Sequence, residues 1–268
     1  RLINDNLCLQ KNTTQISVKK ALTIYDKILA NKAKGQKMFA LLIDPEKCSD
    51  EWLRHILSIL NNNSQISNLN SQFIFVGGSQ LKKSVFDVVE KIKALTSVPV
   101  IMFPGDASQF AENADALLFL SLASGRNAKY LIEQHIEAAK AIKYSGVECI
   151  STGYILIDGG KQTAVERISH TAPYPTDNIQ LITNTALACE LLGHKMVYLE
   201  AGSGAHNPVT HDIISAVRET ISIPLIIGGG IKTPEQMMAA FSAGADLVVI
   251  GNHLESHPDH LALLLNQL

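Results

Sequence analysis

The sequence predicts an α/β protein built as a (β/α)8 TIM barrel in a single domain, 1–268. Three observations carry this. Eight short apolar, β-rich runs alternate with helical runs, the pattern of a parallel sheet closed by crossover helices. Nearly every run ends in Gly, Asp, Glu or Ser, and the C-terminal ends of the strands are where such a barrel carries its chemistry. The last two runs end in glycine, at Gly228-Gly229-Gly230 and at Gly251, as in a phosphate site made by the loops after strands seven and eight. The chain has 268 residues, close to the ~250 of one barrel, and shows no compositional break.

Residues 1 to about 38 are mostly polar and helix-like, an N-terminal extension with an amphipathic run from Val18 to Leu29. Residues 1–42 hold eight Lys or Arg against two Asp. A solvated leading helix is the plainer reading of that charge. A weak, transient attraction to an anionic membrane surface is the sharper one.

Phe39 to Ile43 reads as strand one, ending at Asp44-Pro45-Glu46-Lys47, with a helix over Glu51 to Leu60. A polar loop, Asn61 to Ser71, leads to strand two, Phe73 to Val76, and to Gly77-Gly78-Ser79. A helix over Ser84 to Leu95 precedes strand three, Val98 to Phe103, which ends at Pro104-Gly105-Asp106. Where a regular barrel places a full third helix, Ser108 to Asn113 has room for one or two turns. Strand four is Leu117 to Leu120, followed by an amphipathic helix over Lys129 to Tyr144.

Strand five, Glu148 to Ile157, is expected to be broken by Gly153. A long polar segment, Asp158 to Asn178, then leads into a helix over Ile179 to Leu192. Strand six, Met196 to Leu199, ends at Glu200-Ala201-Gly202-Ser203-Gly204, with a helix over Val209 to Thr220. Strand seven is Leu225 to Ile227. The helix after it starts with Thr233 as N-cap, Pro234 at the first helical position and Gln236 near the third. Strand eight runs into Gly251 and Asn252, and His257 to Leu268 closes the chain.

The formal charge of −2 and pI of about 6.5 give no polyanion-binding signature, so nucleic acid is not an expected partner. Cys8, Cys48, Cys149 and Cys189 are widely spaced with no CxxC pair, which argues against a metal framework and for a reducing compartment. No apolar run is long enough to span a bilayer and no signal peptide is visible. A cytoplasmic protein is the expectation. The chain begins at Arg1 rather than methionine, so residues upstream are expected to be missing.

Three strand ends are candidates for chemistry. Asp44, at the barrel mouth, suits one ligand of a Mg²⁺ ion that keeps water and phosphate oxygens for its other positions. Taken alone, a turn aspartate helped by Pro45 is the plainer reading. Gly77-Gly78 open the backbone to an oxyanion and Ser79 offers a hydroxyl, although a tight turn with a capping serine fits equally. Glu200 sits at the end of strand six beside the glycine loops. A carboxylate next to a phosphate site is costly unless it accepts hydrogen bonds from substrate hydroxyls or takes a proton from one, and a solvated loop glutamate is the plainer alternative. His253, His257 and His260 have a spacing that imitates a metal site, and a solvated terminal helix is the expected explanation. There is no nucleophile elbow, Walker A lysine or complete dinucleotide fingerprint.

The strand ends DPEK (44–47), GGS (77–79), FPG (103–105), STGY (151–154), YLEAGSG (198–204), GGGIKTPEQ (228–236) and VIGN (249–252) together resemble geranylgeranylglyceryl phosphate synthase, whose family includes bacterial heptaprenylglyceryl phosphate synthases. The resemblance runs from about Phe39 to the end. It implies prenyl transfer from a prenyl diphosphate to the 3-hydroxyl of sn-glycerol 1-phosphate, with Mg²⁺ and release of diphosphate, in ether phospholipid synthesis. It implies Mg²⁺ at Asp44 and Ser79. It implies glycerol phosphate at Tyr198, Leu199, Glu200, Ala201, Gly202, Ser203, Gly204, Gly229, Gly230, Gly251 and Asn252, with Glu200 catalytic. It matches the short segment after strand three to a reduced third helix that opens a groove for the prenyl tail. A homo-oligomer, dimer or hexamer, is the expected assembly. Some bacterial members carry a lysine two residues before the metal aspartate, where this chain has Leu42, and read YLEYSG where it has the longer YLEAGSGA. Both departures favour a geranylgeranyl donor.

Two other readings stay open at this point. A sugar-phosphate isomerase on the same barrel shares the glycine loops but wants an acid–base pair at strands one and five, and strand five offers no acid before Asp158. A non-catalytic phosphate- or lipid-binding protein needs neither Asp44 nor Glu200.

Overall fold

The computed structural model describes residues 22–62, 71–78 and 81–268. Ser79, most of the Asn- and Ser-rich loop before strand two, and the run up to residue 21 lie outside the described residues. Eight strands form the sheet: β1 Met38–Ile43, β2 Gln72–Val76, β3 Val100–Met102, β4 Ala116–Leu122, β5 Glu148–Leu156, β6 Met196–Glu200, β7 Leu225–Gly228 and β8 Leu247–Ile250. Each pairs in parallel with the next, and β8 closes on β1 with Val248 opposite Phe39. Ten helices accompany them among the described residues: α1 Ile24–Ala33, α2 Asp50–Asn62, α3 Val85–Leu95, α4 Gln134–Ser145, α5 Ala164–Ser169, α6 Ile179–Leu191, α7 His211–Thr220, α8 Pro234–Ser242, α9 Asn252–Ser256 and α10 His260–Leu265.

The strands are apolar on both faces because both faces are buried. In β2, Phe73 and Phe75 belong to the barrel interior, while Ile74 and Val76 pack outward under the helices. The same alternation puts Tyr198 inside and Val197 and Leu199 outside along β6. Local signals place the helix starts. At α8 the Thr233 hydroxyl accepts from the Gln236 amide and the Gln236 side chain accepts from the Thr233 amide, with Pro234 at the first position, as the sequence predicts.

α1 closes the N-terminal end of the barrel. Ile24 and Ile28 join the interior cluster. Glu148, the first residue of β5, accepts from the amides of Ile24 (2.6 Å) and Tyr25 (3.0 Å). A carboxylate there satisfies two of the unpaired N–H groups of the helix and its positive end.

Four elements differ from expectation. The reduced third helix is a single turn, within the expected one or two, but it is 3-10 and starts one residue early, at Ala107–Gln109. The helix after β4 begins with a π-helical turn, Lys129–Glu133, before α4. β5 runs through Gly153 unbroken, because a Cβ there would collide with Cys189 of α6 and glycine lets that helix approach. The polar segment after β5 holds α5, started by a capping box between Thr163 and Glu166. Among the described residues no helix is long and apolar enough to cross a membrane.

Candidate functional site

The C-terminal ends of the strands surround a cavity of about 440 Å³. Its floor is aromatic. Phe103 stacks on Tyr198 at 5.4 Å between ring centroids, and Tyr154 meets Tyr198 edge-on at 5.3 Å. Burial, followed by the neighbouring Glu200 charge, pushes both phenols well above their ordinary range. The Tyr198 hydroxyl is buried and has no hydrogen-bond partner of ordinary geometry among the described residues.

Glu200 closes β6 and is buried, with 6% of its surface exposed. Its Oε1 accepts from the Gly202 amide at 2.6 Å. Burial pushes its pKa up to about 7, and the neighbouring Tyr198 hydroxyl and the Gly202 amide pull the other way. A carboxyl poised near neutrality is suited to moving a proton at cellular pH.

The glycines at the end of β7 leave room for Tyr198 and for this carboxylate. A Cβ on Gly228 would strike the Tyr198 hydroxyl, and one on Gly229 would strike Glu200 Oε1. Gly229 also has a φ of +82°, a conformation open mainly to glycine. At the β1–β8 seam, Gly251 lies against Leu42, where a Cβ would stand 2.9 Å from the Leu42 Cβ. The β6 and β8 loops meet where Asn252 Oδ1 approaches Gly204, and Asn252 Nδ2 donates to Glu255 at 3.2 Å.

Asp44 stands one residue past β1 and lines the same cavity. Its Oδ1 accepts from the Glu46 amide at 3.0 Å, and its Oδ2 lies 3.6 Å from Lys47 Nζ, which is held at 3.0 Å by Glu255. A Cβ on Gly78 would come within 2.9 Å of Asp44 Oδ1, so the β1 and β2 loops touch at this carboxylate. Glu46 ties them again by accepting from the amides of Lys82 (2.5 Å) and Lys83 (2.7 Å). Those amides, Lys83 first, hold the Glu46 carboxyl below its usual range.

The residues present fit a Mg²⁺ ion of one kind. Among the described residues no three carboxylates, cysteines or histidines form a metal-holding group. Asp44 offers one carboxylate to the cavity, the usual protein share for Mg²⁺ that rides on phosphate oxygens and water.

The structure brings together most of the residues singled out from the sequence. Asp44, Tyr198, Glu200, Ser203, Gly204, Gly229, Gly230, Gly251 and Asn252 line one cavity. Leu199 and Ala201 do not. Their side chains alternate outward into the core under the helices. Gly202 acts through its amide on Glu200 and through close packing on Thr163. The three histidines do come together: His253 Nε2 lies 2.8 Å from His260 Nδ1, and His257 stacks on His253 at 4.8 Å. His253 reaches the cavity, and burial, then His260 and His257, push its pKa down. Asp158 turns into its own loop, where Oδ1 accepts from the Gly160 amide, and it does not line the cavity. The acid–base pair an isomerase needs at strands one and five is therefore not assembled.

Sequence reasoning passed over Tyr130, Arg167 and Lys232, which also line the cavity. The spacing of Thr163 and Glu166 was the available signal for α5, which carries Arg167 over the mouth.

Comparison with known proteins agrees with this geometry. The model of the PcrB family matches residues 31–266. The chain is 47% identical over 235 residues to a geranylgeranylglyceryl phosphate synthase of Flavobacterium johnsoniae, covering 87% of this chain and 94% of that one. It is 48% identical over 234 residues to the enzyme of the same name from Zunongwangia profunda, covering 87% and 97%. The solved (S)-3-O-geranylgeranylglyceryl phosphate synthase of Thermoplasma acidophilum, in complex with sn-glycerol-1-phosphate, superposes with a TM-score of 0.83 at 30% identity, covering 91% of this chain and 98% of that one. A glycine-lined cavity built on a buried glutamate, on a barrel with these relatives, places the chain in the PcrB family, to which it belongs.

Proposed function

We propose that this protein transfers a prenyl group, geranylgeranyl, from its diphosphate to the 3-hydroxyl of sn-glycerol 1-phosphate in ether phospholipid synthesis. One observation carries the reading. The cavity around Glu200, which combines its glycine loops and carboxylates with the apolar Phe103, Leu120, Leu122 and Tyr130, adjoins a small apolar groove, and the two share Pro104, Leu120 and Gln134. The groove runs between the 3-10 turn and α4, lined by Phe110, Leu117, Phe119, Ala138 and Ile142. A phosphate site alone needs no such groove, whereas a donor with a polar head and a hydrocarbon tail needs both.

Glycerol phosphate fits the glycine end, with its phosphate on the Ser203-Gly204, Gly229-Gly230 and Gly251-Asn252 loops and its 3-hydroxyl toward Glu200. The bond between the allylic carbon and the diphosphate breaks with its electron pair on the leaving group. The glycerol oxygen bonds to that carbon, and its proton passes to Glu200. Asp44, with Ser79 as the second ligand the resemblance implies, would hold a Mg²⁺ ion, and that ion would supply charge neutralisation for the diphosphate. We also infer a homo-oligomer, because α4 and the end of α6 expose Ile136, Tyr144, Leu191 and Leu192.

The test is incubation of purified protein with Mg²⁺, labelled sn-glycerol 1-phosphate and a ladder of prenyl diphosphates, with the product sized. A C20 ether product, lost on chelation of the metal, is the expected result. No product with any donor overturns the assignment, and a longer product corrects the donor. Sedimentation of the same preparation gives the assembly.

A further inference from the structure

We propose that Arg167 is a further substrate-binding residue, which grips the diphosphate of the prenyl donor from the side opposite Asp44. This rests on the prenyl-transfer reading above and names a residue that reading does not use. The argument begins with charge. A bound glycerol phosphate and a diphosphate together bring several negative charges into a cavity that already holds Asp44, Glu46, Glu200 and Glu255. One divalent ion does not balance them, so cationic side chains must do the rest.

Of the basic groups that line the cavity, Lys47 is committed to Glu255 and Asp44. Lys232 follows the glycine loop directly and lies close enough to His253 to depress its protonation, so it belongs to the glycerol phosphate end. Arg167 remains. Its side chain is exposed, lines the cavity and makes no hydrogen bond or ion pair among the described residues. The nearest acid along α5, Glu166, is occupied by the Thr163 amide in the capping box.

Position decides which phosphate it serves. α5 crosses the mouth and is fixed at both ends. Thr163 packs on Gly202 beside Glu200. At the other end the Ile168 carbonyl accepts from the Tyr130 hydroxyl at 3.3 Å, and the Ser169 carbonyl accepts from Asn127 Nδ2 at 3.0 Å. Arg167 is one turn along α5 from Thr163 and next in sequence to Ile168, whose carbonyl Tyr130 holds, and it lines the same cavity as the apolar Leu120, Leu122 and Tyr130. The group that lies at the start of that wall is the head of the donor. A guanidinium suits it, since its planar fork gives two parallel hydrogen bonds to phosphate oxygens and stays charged. As the allylic C–O bond breaks, the electron pair moves onto the diphosphate, and a guanidinium bound there would offer its donors to the growing charge.

The experiment compares wild type with Arg167→Gln and Arg167→Lys, all carrying Mg²⁺. Wild-type turnover across the prenyl diphosphate ladder first tests the reaction itself, so failure there is separate from failure of this residue. Inorganic pyrophosphate binding, read by calorimetry without turnover, is then the direct probe. Arg167→Gln should weaken pyrophosphate and raise KM for the prenyl diphosphate by roughly ten- to a hundredfold, the loss of a charge-assisted pair of bonds. KM for glycerol phosphate should move less than threefold. Arg167→Lys should recover part of the affinity. Unchanged pyrophosphate binding, or a rise confined to the glycerol phosphate KM, overturns the assignment. Arg167 is exposed, so matching melting curves will show that fold is not the cause.

Discussion

Glu200 and Gly229 occupy each other's space: the carboxylate Oε1 fills the place where any side chain at position 229 would put its Cβ. The proposed base and the glycine loop after β7 are therefore one packing unit. The first test removes the base alone. Glu200→Gln keeps the shape and one acceptor oxygen. Single-turnover rates at saturating substrates should fall by about 10²–10⁴-fold, the usual share of a positioned base. Glycerol phosphate affinity should fall less, and affinity for the prenyl diphosphate should hardly change. A rate within a few-fold of wild type would leave Glu200 as a hydrogen-bonding residue only.

The raised pKa of Glu200 makes a stability prediction with a definite sign. Its ordinary value of 4.5 rises to about 7 in the folded chain. Between those values the folded protein holds a proton that the unfolded chain releases. The contribution is complete below 4.5 and is lost as pH rises through about 7. It amounts to at most about 3 kcal/mol. Glu200→Gln is neutral at every pH, so its melting temperature relative to wild type should climb from pH 5 to pH 8. An offset that is the same at both would remove the linkage. In the same window wild-type kcat/KM should rise with pH as the base deprotonates.

Because of the shared packing, Gly229→Ala is expected to damage everything at once. It places an L side chain at a φ of +82° and displaces Glu200, a strain of order 1–3 kcal/mol before the clash. Melting temperature and turnover should fall together. Ser203→Ala is the cleaner probe of phosphate binding, since Ser203 is exposed and lines the cavity. It should cost roughly tenfold in glycerol phosphate affinity with no shift in melting.

Asp44→Asn tests the metal side. The amide keeps an oxygen for the Glu46 N–H bond at 3.0 Å but loses the charge that a Mg²⁺ ion held there would need. Most turnover should vanish while calorimetry still shows glycerol phosphate binding. A variant with wild-type activity at limiting Mg²⁺ would take Asp44 out of the metal site.

Glu148→Ala addresses the far end of the barrel. Two α1 amides lose their acceptor, a cost of about 1–3 kcal/mol. Hydrogen exchange over Ile24–Ala33 should accelerate while turnover changes little. Protected α1 amides in the variant would mean that Ile24 and Ile28 dock the helix unaided.

The barrel was readable because each strand carries its own signature, and the Thr233-Pro234-Gln236 start of α8 needed no tertiary information. Asp44, Glu200 and the glycine loops were readable for a related reason: strand ends of a closed barrel must converge. What stayed hidden depends on neighbours distant in the chain. Gly153 reads as a break until Cys189 is seen against it. Leu199 and Ala201 fall inside a site motif, yet strand alternation turns both outward. α5 was missed because six residues give no periodicity, although its capping pair was in view.

The single 3-10 turn between β3 and β4 leaves that stretch of barrel wall without a helix, with Phe110 and Phe119 only half-buried. A hydrocarbon lying along this wall would fill the layer that a helix supplies elsewhere around the barrel. The proposed donor would then be part of the architecture as well as the reaction. A ligand at 100 times its Kd adds about 2.7 kcal/mol to folding stability, and here the gain should grow with each isoprene unit that touches the wall and stop where the wall ends. Thermal shift with unreactive prenyl analogues of increasing length thus becomes a ruler for the groove that needs no catalysis.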